Sequence, residues 1–221
     1  MMLMMGDNDV AACSAESSSS TSGIHFTVTN NTFGQLGTRQ IIVFITSAVS
    51  QNYYSYAAWH HFYPGDGASA DFEFNSTVSV TATNDAYVSN SRTISPGYAS
   101  DITSTDGQSP VIGTPSLAPD TVSSVQEGVI NRTVFQVYPV WSVAGSKAMV
   151  GTNTLTNGGT SVFQLQPTLY WTVVEYTEGQ HYTYGQVSQM TPYSVPESVS
   201  NIKVSVTYDV WANRFVFTFS H

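Results

Sequence analysis

The chain has 221 residues, of which 41% are hydrophobic and 13% aromatic, enough apolar material for one large or two small packed cores. Only 10% are charged, and the formal net charge is -9. The six basic residues, Arg39, Arg92, Arg132, Lys147, Lys203 and Arg214, form no cluster. That excludes nucleic acid as a partner, because binding phosphates needs several cations gathered on one face. An anionic membrane surface is disfavoured for the same reason. A neutral glycan, a zwitterionic lipid, an apolar small molecule or a second copy of the chain fits better.

In chain order, the Ser-rich residues 1–22 show no period and are expected to form a disordered tail. Their short apolar start and early acids lack the basic region and long apolar core of a signal peptide, so cytoplasmic synthesis is expected, with non-classical release left open. Cys13, the single cysteine, lies in this stretch, so no internal disulfide can form. No stretch is long and apolar enough to span a membrane as a helix, and integral membrane association is not expected.

Residues 24–29 alternate with period two up to the Asn30-Asn31 turn. Arg39–Val49 has a continuous apolar centre and reads as a strand buried on both faces. Pro64–Gly67 is a turn, and Ala70–Thr83 alternates on either side of a break near Asn75-Ser76. Residues 114–124, with Pro115 and Pro119, read as a linker. Beyond it, 132–143 is a strand region interrupted by Pro139, 161–176 a strand pair bent at Pro167, and 202–220 a closing hairpin whose turn is Asp209–Asn213. No window carries a sustained helical period.

The fold class expected is all-β, an antiparallel β-sandwich built from two similar halves, 23–113 and 125–221. Phe72-x-Phe74-x-x-Thr77-Val78-x-Val80-Thr81 aligns with Phe163-x-Leu165-x-x-Thr168-Leu169-x-Trp171-Thr172, and Val43-Phe44 aligns with Val134-Phe135 at the same offset. Such a pattern suggests internal duplication. It leaves open whether the halves are two domains or two sheets around one core. Sequons at Asn30, Asn75 and Asn131 are about as many as chance supplies in a chain this rich in Ser, Thr and Asn.

Catalytic motifs are absent from the sequence. There is no G-x-S-x-G, no phosphate loop and no HExxH, so the chain reads as a non-enzyme with no cofactor. His60-His61 are weak metal candidates, because neighbours on a strand point to opposite faces. His25, His181, Asp66, Asp71 and Glu73 are the third ligands available by type. A metal-dependent enzyme centred on His60 and His61 is one alternative function. Asp71 and Glu73, spaced by two, read as a solvated strand face rather than an acid–base pair.

Aromatics are the remaining signal. Tyr53, Tyr54 and Tyr56, with Tyr182 and Tyr184, are the candidate ligand-binding patch, since Tyr combines an apolar ring with a polar tip. The four tryptophans, Trp59, Trp141, Trp171 and Trp211, are expected mainly in the core. The leading function is therefore a non-catalytic binding protein that recognises neutral glycans or surfaces in defence or host interaction. A self-assembling structural protein is the other alternative, because so few charges guard strand edges.

Val28-Thr29-Asn30-Asn31, Ala57-Ala58-Trp59, Pro64-Gly65 and the alternating Phe strand, followed by Val150-Gly151, Gly159-Thr160, Gln164-Leu165-Gln166-Pro167, Tyr170-Trp171 and Gly185-x-Val187, run in order through most of residues 24–221. In these motifs the chain resembles the bacterial rhizosphere-induced protein family, and in style small uncharacterised fungal proteins. The resemblance implies a soluble protein made for interaction with its surroundings, and it supplies no catalytic residues.

Overall fold

The computed structural model describes residues 23–49 and 53–221. The tail expected over 1–22, with Cys13, lies outside these residues. What is described is all-β apart from one helical turn, Tyr184–Val187. That turn carries a full capping box: Gln186 N donates to the Thr183 hydroxyl and the Gln186 side chain accepts from Thr183 N. The sequence led to no expectation of this turn, because four residues are too few to show a helical period.

The strands form four sheets. Sheet I runs Arg214–Ser220, Asn201–Asp209, Ile24–Asn30, Ser69–Phe74. Sheet II runs Thr191–Ser194, Leu165–Val174, Gln40–Ser47, His60–Phe62. Sheet III runs His181–Tyr182, Tyr54–Ala57, Ser146–Gly151, Tyr138–Val143, Val78–Thr83, Arg92–Thr93. Sheet IV runs Ser116–Leu117, Tyr98–Thr103, Glu127–Asn131, Thr160–Phe163, with Val111–Ile112 also on Tyr98–Thr103. The short strand Ser116–Leu117 belongs to the stretch read as a linker.

Every sheet draws strands from both halves of the chain. In sheets I and IV the halves meet through the two parallel pairings of an otherwise antiparallel fold, Ile24–Asn30 beside Asn201–Asp209 and Glu127–Asn131 beside Tyr98–Thr103. In sheets II and III they meet through antiparallel pairs, Leu165–Val174 beside Gln40–Ser47 and Tyr138–Val143 beside Val78–Thr83. Sheet I packs on sheet II through Trp171, whose ring lies 5.9 Å from Phe72 and 5.6 Å from Phe219. Sheet IV packs on sheet III through Trp141, stacked on Phe163 at 5.3 Å. Between these layers, Phe44 of sheet II meets Tyr182 of sheet III at 4.9 Å. Ile41–Ile45 is consequently buried on both faces, as its continuous apolar run predicts. The apolar interior is one continuous cluster.

Proline and glycine shape the strands locally. Pro139 sits inside Tyr138–Val143, and a side chain on the facing Gly151 would meet the Pro139 ring at 2.8 Å. The expected bend at Pro167 is a break at Gln164, which separates Thr160–Phe163 in sheet IV from Leu165–Val174 in sheet II, followed by a register shift between Leu165 and Leu169.

Two sequence expectations are corrected. Val134-Phe135 does not correspond to Val43-Phe44: it lies in a loop with Val134 exposed, whereas the residue paired with Val80 is Trp141, as Val43 is paired with Trp171. Trp211 is not core but 96% exposed at the tip of the closing hairpin, where no second layer reaches it. Trp59, Trp141 and Trp171 are buried as expected.

Candidate functional site

The segment 53–63 contains two short strands in different sheets. Tyr54–Ala57 joins sheet III and His60–Phe62 joins sheet II. The chain crosses between them at Ala58-Trp59. Trp59 pins the crossing: its backbone N donates to Val43 O at 2.9 Å and its indole Nε1 to Val143 O at 2.8 Å. An open cleft of about 490 Å³ lies at this crossing.

His60 and His61 both line the cleft but point apart. The His60 ring packs among Trp59, Phe72 and Phe62, at 4.3, 4.8 and 5.9 Å. Burial, and secondly the neighbouring His61, holds its imidazole down at about 4, so it is neutral at pH 7. His61 is exposed; its Nδ1 lies 3.0 Å from Gln40 Oε1 and its ring 5.0 Å from that of Tyr176. His181 comes from the strand beside Ala57, with Nδ1 3.4 Å from Ser55 Oγ. Desolvation, then the Lys147 charge, lowers its pKa as well. Lys147 and Ser146 enter from the start of Ser146–Gly151, and Glu178 and Gln180 from the turn after Tyr176.

The cleft thus combines a histidine–tyrosine ring wall with amide, hydroxyl and imidazole hydrogen-bonding groups, and one ammonium with one carboxylate. Such a site can stack on a flat apolar face and hydrogen-bond its rim. Among the described residues, no group of three or more His, Cys, Asp or Glu is placed to hold a metal ion.

The five tyrosines expected to form one exposed patch do not form it. Tyr53 is 59% exposed, but Tyr54, Tyr56 and Tyr182 are buried and Tyr184 is half-buried. The reason is the strand position: Tyr54–Ala57 is flanked on both sides, by Ser146–Gly151 and His181–Tyr182, and its alternation turns Tyr54 and Tyr56 inward. The Tyr54 hydroxyl donates to Val162 O at 2.6 Å and lies 3.0 Å from Ser161 Oγ, and burial raises its pKa. Tyr56 lies 6.1 Å from Tyr184, and Tyr182 packs on Phe44. Tyr53 and Tyr54 line a separate cavity of about 240 Å³ with Pro139 and Leu155.

Lys147 and Gln180 carried no local signal in the sequence, since only strand pairing brings them beside His61. Glu127 was also missed. It is a lone carboxyl in a strand whose five residues are all buried, with Oε2 unpartnered, and burial pushes its pKa up to about 7.

The sequons have a structural explanation at two of three positions. Asn30 and Asn131 are buried, and each side-chain amide donates to backbone carbonyls, Pro64 O from Asn30 and Phe135 O and Leu155 O from Asn131. A glycan on either nitrogen is incompatible with these bonds.

Compared with family models, curated proteins and solved structures, the chain matches none of them.

Proposed function

We propose that the protein is a non-catalytic binding protein whose cleft takes a neutral glycan. The observation that carries this reading is the pairing of the His61–Tyr176 ring wall with a rim whose two full charges, Lys147 and Glu178, are of opposite sign. With His60 neutral, the cleft offers hydrogen bonds and a stacking face without a strong field for an ionic ligand. A sugar ring presents the matching chemistry: an apolar face with hydroxyls around it. The resemblance to rhizosphere-induced proteins favours the same kind of role, interaction with the surroundings.

The test is a neutral-oligosaccharide array followed by calorimetric titration of the best ligand. His61→Ala and Tyr176→Ala should each weaken binding at least tenfold while leaving the unfolding midpoint nearly unchanged. A folded sample that binds no glycan, or variants that bind as tightly as the parent, would sink the proposal.

A second reading, self-assembly, is favoured by the strand Arg214–Ser220, which closes sheet I with Asn201–Asp209 as its neighbour. After Arg214 it carries no charged side chain, so no gatekeeper blocks edge pairing with another copy. Light scattering across a concentration series checks this. Growth of the scattering mass in the parent but not in Thr218→Lys supports it, and a monomer at every concentration rules it out.

A further inference from the structure

Sheet I has an end from which apolar side chains project into solvent. The strands Ile24–Asn30 and Asn201–Asp209 are parallel, with Asn30 level with Val206 and Asn31 N donating to Val206 O at 2.8 Å. The loops that follow them therefore leave the sheet on the same side. One carries Phe33, 86% exposed, and the other is the hairpin tip with Val210 and Trp211, 67% and 96% exposed. The two stay together on their return: the Arg39 guanidinium, at the end of the first loop, lies 5.1 Å from the Phe215 ring, and Phe215 pairs with Tyr208 just below the tip. Tyr63 adds a third exposed ring, its hydroxyl donating to Gly37 O in the first loop.

These projections are held, not frayed. Asp209 Oδ1 accepts from Trp211 N and Ala212 N, at 3.0 and 3.1 Å, and the Tyr208 hydroxyl donates to Asn213 Oδ1. Phe33 sits at φ 54°, a left-handed conformation unfavourable for a bulky residue, in a loop closed by Leu36 N donating to the Thr32 hydroxyl at 3.1 Å. Phe33 is thus held outside in a strained backbone conformation, while every other phenylalanine is buried or half-buried.

We infer that this end of sheet I, with Phe33, Tyr63, Val210 and Trp211 at its tips, is a docking surface for a zwitterionic lipid membrane. The exposed side chains stand on three separate chain segments, the loop after Asn30, the Tyr63 segment and the hairpin tip, and a fluid surface accepts such tips without a pocket moulded to each side chain. Trp and Tyr rings, with apolar bodies and polar edges, settle at the level of lipid headgroups. Charge selects the lipid class. Arg39 and Arg214 stand at this end against Asp66, Asp209 and Glu175, the last following Val174, which pairs with Gln40. That near balance suits a headgroup with no net charge, while the chain as a whole, at -9, is repelled by an anionic surface. No helix among the described residues is long and apolar enough to cross a membrane.

The protein carries its own probe, because Trp59, Trp141 and Trp171 are buried and Trp211 is the exposed tryptophan. The full chain is titrated with phosphatidylcholine vesicles while tryptophan emission is read, then repeated with bromine-labelled acyl chains and by vesicle flotation. The expected result is a blue shift, quenching by the brominated lipid, and recovery of protein with floated vesicles. Trp211→Ser should lower vesicle affinity at least tenfold and abolish the shift, and Phe33→Ser should lower it several-fold, both with an unchanged unfolding midpoint. Val134→Ser, at an exposed apolar residue in the loop after Glu127–Asn131 of sheet IV, should leave vesicle binding intact. Absence of binding to phosphatidylcholine at millimolar lipid, binding to anionic vesicles alone, or a Trp211→Ser protein that floats as well as the parent would overturn the inference.

Discussion

Asn30 and Asn131 make the same set of bonds at two separate turns. Each side-chain Oδ1 accepts from the backbone N and the hydroxyl of the threonine two residues on, Thr32 at 3.1 and 2.7 Å and Thr133 at 2.9 and 2.8 Å. Each backbone carbonyl accepts at 2.7 Å from a glycine of the following turn, Gly67 or Gly158. Because these amides are buried and bonded through both oxygen and nitrogen, Asn30→Ala and Asn131→Ala strand several partners at once. Each should cost on the order of 2–4 kcal/mol, read as a drop in unfolding free energy in urea. A loss below about 1 kcal/mol at either turn would show that water replaces the side chain.

Two tryptophans should behave in opposite ways. Trp59 is buried and its indole donates to Val143 O, so Trp59→Ala should destabilise by about 3–5 kcal/mol. Trp211→Ala should change stability by no more than about 0.5 kcal/mol, as a surface substitution does. Chemical denaturation of the two variants side by side is the measurement.

Glu127 and His60 should pull the pH dependence of stability in opposite directions. Burial raises the Glu127 pKa to about 7 in the folded state from an ordinary 4.5. Between those values the unfolded chain releases the proton first, so stability falls as pH rises from about 4.5 to 7 and stays low above it. The full effect is on the order of 2–3 kcal/mol. Glu127→Gln should be more stable than the parent at pH 8, with the advantage gone at pH 4. Equal stabilities at pH 8 would show that the carboxylate finds a partner when ionised.

His60 works the other way. Its folded pKa is lowered to about 4 from 6.5, so the unfolded chain takes up a proton first as pH falls. Stability is therefore lost as pH drops from about 6.5 to 4. In the parent the two slopes oppose each other across the overlap and the profile is flat there. In Glu127→Gln the His60 slope is no longer opposed by Glu127, His181 with its lowered pKa acts in the same direction, and stability should fall visibly on acidification. His60→Gln should shift the balance towards Glu127, so that stability falls more, or rises less, with increasing pH than in the parent. Melting temperatures recorded from pH 4 to 8 for the parent and both variants decide the matter.

What the sequence determined by itself was whatever depends on neighbours along the chain. The β class, the doubly buried Gln40–Ser47 strand, the closing hairpin and the turn at Pro64–Gly67 were all legible, because alternation, β-branching and turn residues act over a few residues. Burial of Trp59 was legible too. Tertiary structure decided where each strand went. The pairings that place both halves in every sheet, parallel in two sheets and antiparallel in the other two, join residues far apart in sequence, and no local pattern encodes the partner of an edge. That placement put Tyr54 and Tyr56 inside, because the strand's alternation turns them to the face that the core covers and leaves Ser55 and Ala57 on the other. It also carried Lys147 and His181 to the side of His61. Trp211 went the opposite way for the same reason: residue type favours the core, but a side chain at a hairpin tip is buried only if another layer reaches it, and here none does.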